Sequence, residues 1–475
     1  MEPYAMMNVD GGAFGFGAAD PSDLLKALTA GSSANPASMG TGGNTLQFES
    51  LEGALLNALR EKPEDFKLMN MQFSNKVGST VHQYTVNKDS GSYEGLWTAE
   101  NGDPIESNSE YARKTRTLKY MQTKREVTLQ MTAINPAIGG DPEATEERQG
   151  THVLLKGAEW GCFHGNETAS PQMFNGYPQQ IRNEYSANVF DAQGYRMSDS
   201  QGESAFLEAI RAIADRGGEI SHAFYPLLVA QDFQDLVKDR LRFGTGDRQG
   251  ATVIDTYPTV YGSVGIAGND CGPDKMFKVK GIPSPASSSI TQKPGAPTFA
   301  LAAQSKTGGT GFLAATAGTY RYTVYAVNTN GLISDAASAA NVAVADGQEV
   351  KITVTRNADL KATGYIICRG KKDVTTGTTI YEMFRVADSG SATTEALDQN
   401  DELPGTAEML LLSNKMMQRT FQWNSLLDLM RFNLGATKAH IPFLMIWYGT
   451  PDMKIPEFNG LIKNIAHPQV EGWFH

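Results

Sequence analysis

The sequence predicts a mixed α+β protein into which an all-β sandwich is inserted. Three observations predict it. Amphipathic helical segments and apolar strand-like runs alternate through residues 136–284. From Pro297 to about Pro404 only short strand-like runs separated by turn signals occur. Beyond the exit "ELPGT" the α+β texture returns, so the strands interrupt one discontinuous parent domain. A chain of 475 residues is in any case too long for one core and requires two or three.

Residues 1 to about 45 are rich in Gly, Ser and Ala, with one short amphipathic piece, "PSDLLKALTA". Such a composition cannot build a core and reads as an extended arm. Leu51, Leu55, Leu56 and Leu59 then share one face of a short helix. Two extended segments follow: "STVHQYTVNKD", and a run from Tyr111 to Met131 that would reach roughly 70 Å at about 3.3 Å per residue. A hairpin this long is expected to leave its own globule and lie on another chain.

The hairpin's charges are segregated. Six acids and no Lys or Arg lie between Asp89 and Glu110, whereas six bases lie between Arg113 and Arg125. Glu94, Trp97, Glu100, Arg113, Lys114, Arg116 and Lys119 are the candidate subunit-interface residues. The competing reading is a solvated hairpin whose arms neutralise each other.

A helix of some 20 residues starts sharply at Asp141 (N-cap) and Pro142, with acids in its first turns where the dipole favours them. It runs into "GAEWGCFHGN". Gly150, Gly157 and Gly161 each cost about 1 kcal/mol in a helix, so close packing against a neighbouring element is expected to compensate. Ser200 and Glu203 read as a capping box before "AFLEAIRAIADRGG", which Gly217 ends. "HAFYPLLVA" is a buried strand and "QDFQDLVKDRLRFG" a second amphipathic helix. After the linker "PSPASSSITQKPGAPT", the runs "TYRYTVYAVN", "QEVKITVT", "ATGYIICRG" and "TIYEMFRVA" fit an immunoglobulin-like or fibronectin-type sandwich of about 110 residues.

Composition excludes several classes of function. A formal charge of -11 argues against a protein whose main task is gripping nucleic acid. Cys162, Cys271 and Cys368 have neither disulfide nor zinc spacing and read as free, buried thiols. The first 25 residues hold no Lys or Arg and no apolar core of a signal peptide, and no run approaches the ~18 apolar residues of a membrane span. The expectation is a soluble protein of a reducing cytosol.

Chemical motifs fail one by one. "FGTGDRQG" (Phe243–Gly250) lacks the Lys-Ser/Thr of a phosphate loop and follows a helix rather than a strand. His152 and His164 point about 120° apart and cannot share a metal. Cys162 sits at a helix end without a nucleophile elbow. No catalytic residue, cofactor or metal is expected, and the protein is not read as an enzyme.

The order of parts resembles the major capsid proteins of tailed bacteriophages, more closely those of large myoviruses with an Ig-like insertion. The similar residues are A-E-W-x-x-F-x-G at Ala158–Gly165, "YIICRG" and "YEMFRVAD" in the insert, "DQNDELP" at its exit and "LMIWYGTPDMKIPEFNGLIKNI" near the C-terminus. The resemblance covers most of the chain from about Leu51. It implies a Hong Kong 97-like fold with an N-arm and short helix (1–60), an E-loop hairpin with flanking strands (61–135), a spine helix and the first part of the axial domain (136–284), the inserted sandwich (285–405) and a C-terminal return (406–475). Gly157, Trp160, Gly161 and Phe163 would then pack the spine helix.

The same resemblance implies a self-assembling icosahedral shell around packaged double-stranded DNA, built of hexamers and pentamers in the host cytoplasm. Partners would be a separate scaffolding protein, since the N-terminal segment is too short for a fused one, a portal, and decoration or minor capsid proteins, with packaged DNA in non-specific proximity; no membrane is involved. The competing reading is a virion or cell-surface adhesion protein whose sandwich is the working module.

Overall fold

The computed structural model describes residues 66–133, 141–238, 256–275, 293–413, 420–435 and 439–474, apart from 95, 104, 274, 309, 310 and 378. The arm, the helix expected at 51–59 and the loop at 243–250 lie outside the described residues.

The described chain starts with α1 (Lys67–Met71) and β1 (Phe73–Lys76), then the hairpin strands β2 (Val81–Asp89) and β3 (Glu110–Thr117). β4 (Lys119–Thr128), α2 (Leu129–Ala133) and the 23-residue α3 (Pro142–His164) follow. Next come α4 (Tyr177–Glu184), β5 (Val189–Asp191), α5 (Ser200–Asp215), β6 (His222–Pro226), α6 (Ala230–Lys238), β7 (Thr256–Thr259) and β8 (Gly262–Asn269). Seven strands make the insert: β9 (Thr298–Ser305), β10 (Gly318–Asn328), β11 (Ala340–Val344), β12 (Gln348–Thr355), β13 (Ala362–Gly370), β14 (Ile380–Ala387) and β15 (Thr393–Asp398). β16 (Ala407–Leu412), β17 (Phe421–Asn433), β18 (His440–Met453) and β19 (Gly460–Ile465) return to the body.

The extended run from Tyr111 to Met131 is not one strand. Its first part pairs only with β2, and its second joins the sheet β1-β17-β18-β4. The switch is Leu118, which is 1% exposed and whose N–H donates to Thr80 O at 2.9 Å. Strand propensity continues through the break; burial of one leucine, absent from any local pattern, sets it.

α3 packs across one face of this four-stranded sheet. Leu154 meets Val127, Phe443 and Met445, and Asp141 caps the helix by accepting from Glu143 N at 3.0 Å. The acids of its first turns also bind bases on the sheet: Glu146 takes Arg125, and Arg431 bridges Glu143 and Glu147. Its far end shares a core with α4, Phe174, Phe421 and Trp423.

The second sheet has the order β5-β19-β16-β6-β8-β7. It is buried on both faces, as the unbroken apolar runs of its central strands demand. Met409 and Leu411 of β16 face α5 and α6, with Phe206, Ile213 and Phe233; Leu410 and Leu412 face the core beneath α3. α5 starts at Ser200 with Asp199 as N-cap and no side-chain cap bond, so the capping box does not form. Glu203 instead accepts from the Tyr257 hydroxyl at 2.7 Å. Gly217, at φ +87°, closes the helix: its N–H donates to Ala214 O and that of Gly218 to Ile213 O, a Schellman pair.

The insert is two facing sheets, β11-β10-β13-β14 and β15-β12-β9, around Phe312, Tyr322, Val350, Ile352 and Ile367. Arg369 lies in this core, bound to Asp398 at 2.7 Å and flanked by the rings of Tyr320 and Phe312. Two seams hold the insert to the body. Ser170 Oγ donates to Asn328 O and Thr363 Oγ1 to Ala169 O. At the exit, Lys275, Arg182 and Lys463 converge on Glu402, with Glu408 beside them.

Candidate assembly surfaces

The hairpin tip is the most exposed apolar part of the described chain. Tyr93 is 85% and Trp97 96% exposed, and Leu96 and Ile105 are also exposed. Glu94 and Glu100 flank them, both in solvent. Isolated exposed apolar residues are ordinary, but several large ones on one two-stranded excursion mark a contact surface. A second exposed apolar patch lies on the face of the four-stranded sheet turned away from α3. Met430 and Phe432 of β17 and Tyr120 of β4 occupy it, Tyr120 set edge-on against Tyr448 at 4.8 Å.

The bases of β3 do something the sequence did not reveal. Lys114 and Arg116, two apart, point to one face. Lys114 donates to Glu184 at the end of α4 at 2.6 Å, and Arg116 binds both Glu184 and the fully buried Asp452 of β18, the latter at 2.9 Å. Lys119 donates to Glu167 at 2.7 Å. Arg113 is exposed. Within the hairpin Lys88 of β2 pairs with Glu110 of β3 at 3.4 Å; Lys88 lies outside the basic run. Three of the four bases expected at a neighbour's surface are thus spent on the chain's own body. The partners are 48 to 336 residues away, beyond any local signal. Burial, with Asp452 beside it, holds the Tyr84 hydroxyl at this root well above its usual range.

At the end of α3 the glycines divide. A Cβ on Gly161 would lie 2.7 Å from Phe174 Cζ, so helix and loop meet there without room for a side chain. Gly157 is exposed, with nothing within 4 Å of a Cβ; the packing role expected of it is corrected here. Phe163 is buried and faces Phe224 across 6.2 Å. Trp160 is only half buried and stacks on His164 at 5.1 Å.

One residue of this stretch was missed. Glu159 is fully buried and accepts from Leu68 N at 3.0 Å, Met69 N at 2.9 Å and Asn269 Nδ2 at 2.6 Å. Burial holds its carboxyl above the ordinary value, against the pull of those donors. A lone acid amid small and apolar residues was the available signal.

Among the described residues no group of three or more His, Cys, Asp or Glu is placed to hold a metal, and no helix is long and apolar enough to cross a membrane. The three cysteines are buried and in no disulfide, and burial pushes the Cys162 and Cys368 thiols up, away from the nucleophilic thiolate.

No protein-family model matches the chain. It is 24% identical over 413 residues to the candidate major capsid protein of Enterococcus phage phiEF24C, covering 82% of this chain and 83% of that one. It is 21% identical over 381 residues to the major capsid protein of Staphylococcus phage K, covering 76% and 77%. Among solved structures, the capsid of a native GTA particle aligns over 91% of this chain and 100% of that one, at 12% identity and a TM-score of 0.47.

Proposed function

We infer that this chain is a major capsid protein of a tailed phage, a subunit that assembles with copies of itself into the head shell. The observation that carries this reading is the hairpin: two strands with no core of their own, rooted in the body by Lys114 and Arg116 and ending in exposed Tyr93, Leu96, Trp97 and Ile105. Such a tip lowers its free energy by burial against another copy, at about 25 cal/mol per Å² of apolar surface. Likeness along most of the length of phage capsid proteins supports it.

In this reading the fold is of the Hong Kong 97 type. Residues 1–60 are the arm, 61–135 the E-loop with its flanking strands, and 136–284 the spine helix and the first part of the axial domain. Residues 285–405 are an Ig-like insert and 406–475 the return. The support is the pairing of a long helix with a four-stranded sheet, a six-stranded sheet beside it and a seven-stranded sandwich between β8 and β16. Hexamers and pentamers enclose the genome, with a separate scaffold, a portal and decoration proteins as partners. The role is structural, with assembly in the host cytoplasm. The acidic balance keeps the wall from gripping the DNA.

The test is electron microscopy of the chain expressed alone and with the other structural proteins of its virus. Closed shells are expected, and replacement of residues 91–108 by two glycines should leave a folded, soluble subunit that forms none. A chain that stays monomeric in both settings would overturn the reading.

A further inference from the structure

We propose that Glu159 is the latch that fixes where the N-terminal arm leaves the body, and that shell assembly depends on it; the assembly half rests on the function inferred above. α1 is the first described element after residues 1–65, and its start is badly made by local standards. Its N-cap is Phe66, which has no side-chain acceptor to offer. The N–H groups of Leu68 and Met69, in the first turn, therefore lack a local partner. A helix of five residues does not hold itself together without one.

The missing cap comes from 90 residues away. Glu159 Oε2 takes Met69 N, and Oε1 takes both Leu68 N and Asn269 Nδ2. Asn269 is itself held, its Oδ1 accepting from Cys271 N at 2.8 Å. One carboxylate thus joins the arm root, the long helix of the first sheet and the last residue of β8 in the second. An ionised carboxylate is acceptor-only, so it alone suits a site with three donors and no acceptor. Among the described residues no cation pairs with it, a costly arrangement for which packing alone gives no reason.

Glutamine cannot replace it. With its amide nitrogen at the Oε2 position, a donor faces Met69 N–H. With the amide reversed, a donor faces Leu68 N–H, and Asn269 can adapt only by turning its own amide and stranding Cys271 N–H. Every rotamer leaves a buried donor unpaired.

The experiment compares three full-length proteins: wild type, Glu159→Gln, and Leu154→Ala, which removes a core contact of the same helix away from the arm root. Backbone hydrogen exchange over residues 66–72 and shell yield by electron microscopy are read well below the melting temperature. Glu159→Gln should speed exchange at Leu68 and Met69 by about 10–100-fold, the equivalent of one unpaired buried donor, and cut shell yield, while Leu154→Ala changes neither. Unchanged exchange in Glu159→Gln, equal loss of shells in both variants, or faster exchange with normal shells would each overturn the proposal. If Glu159→Gln does not yield soluble protein, Glu159→Asp, which keeps an acceptor-only carboxylate but withdraws it by one methylene from Leu68 N and Met69 N, is read by the same outcomes. Absence of shells from wild type strikes the capsid reading instead, and the exchange arm still decides the latch.

Discussion

The inserted sandwich and the β2–β3 hairpin are both excursions from the α+β body, and they are stabilised in different ways. The sandwich closes two sheets on its own core and holds a buried ion pair, Arg369 with Asp398. In the hairpin no described residue from Val81 to Thr117 is buried. The sandwich has its order built in before any partner arrives, whereas the hairpin is ordered at its root by charges and leaves its apolar tip for something else to cover. In the reading proposed above, stability of the subunit and capacity to assemble then rest on different residues.

Four outcomes would break or sharpen that contrast. The largest effect is expected inside the sandwich. Arg369→Ala leaves Asp398 buried without its cation and should cost about 3–5 kcal/mol. Calorimetry should show the loss in the insert's transition while the body's melting holds; a loss shared equally would mean the sandwich is not self-sufficient. At the hairpin root, Arg116→Gln strips a charged partner from Asp452 and should cost about 1.5–3 kcal/mol of subunit stability, read from denaturant midpoints.

Acid should act on the seam between insert and body. Burial resists the charge on Glu402, yet Lys275, then Arg182 and Lys463, hold its carboxyl down at about 2. Its folded value lies below the unfolded one, so its contribution is complete above about pH 4.3 and is lost as pH falls through about 2. Hydrogen exchange at residues 403–408 should rise across that window, and Glu402→Gln should flatten the dependence. The smallest effect on the subunit is the most informative one. Trp97→Ser should change stability by no more than about 0.5 kcal/mol, since the side chain touches little, yet lower shell yield. A stability loss as large as that of Arg116→Gln would show that the tip is packed within its own chain.

The parts legible in the sequence are those whose causes are local. Asp141 and Pro142 announce α3, Gly217 announces the end of α5, and short strand-like runs between turn signals announce the strands of the insert. What could not be read depends on partners brought together by the fold. Leu118 divides a continuous β-forming run, and Glu184 and Asp452 claim bases that seemed destined for a neighbour. Gly157 and Gly161 look alike in sequence, but only Gly161 has a ring against it. Glu159 hid among packing residues because its role is defined by two backbone amides 90 residues earlier.

The single-residue joint at Leu118 makes the hairpin a lever. Nine residues of β2 at about 3.3 Å each put the tip roughly 30 Å from the pivot, so a turn of about 10° moves Trp97 by about 5 Å. Lysine and arginine side chains can follow such a turn without releasing their carboxylates. A subunit proposed to sit in rings of both five and six must meet neighbours at more than one angle. In that reading the adjustment falls on the hairpin root and the two long side chains of Lys114 and Arg116, and the sheet beneath α3 need not deform.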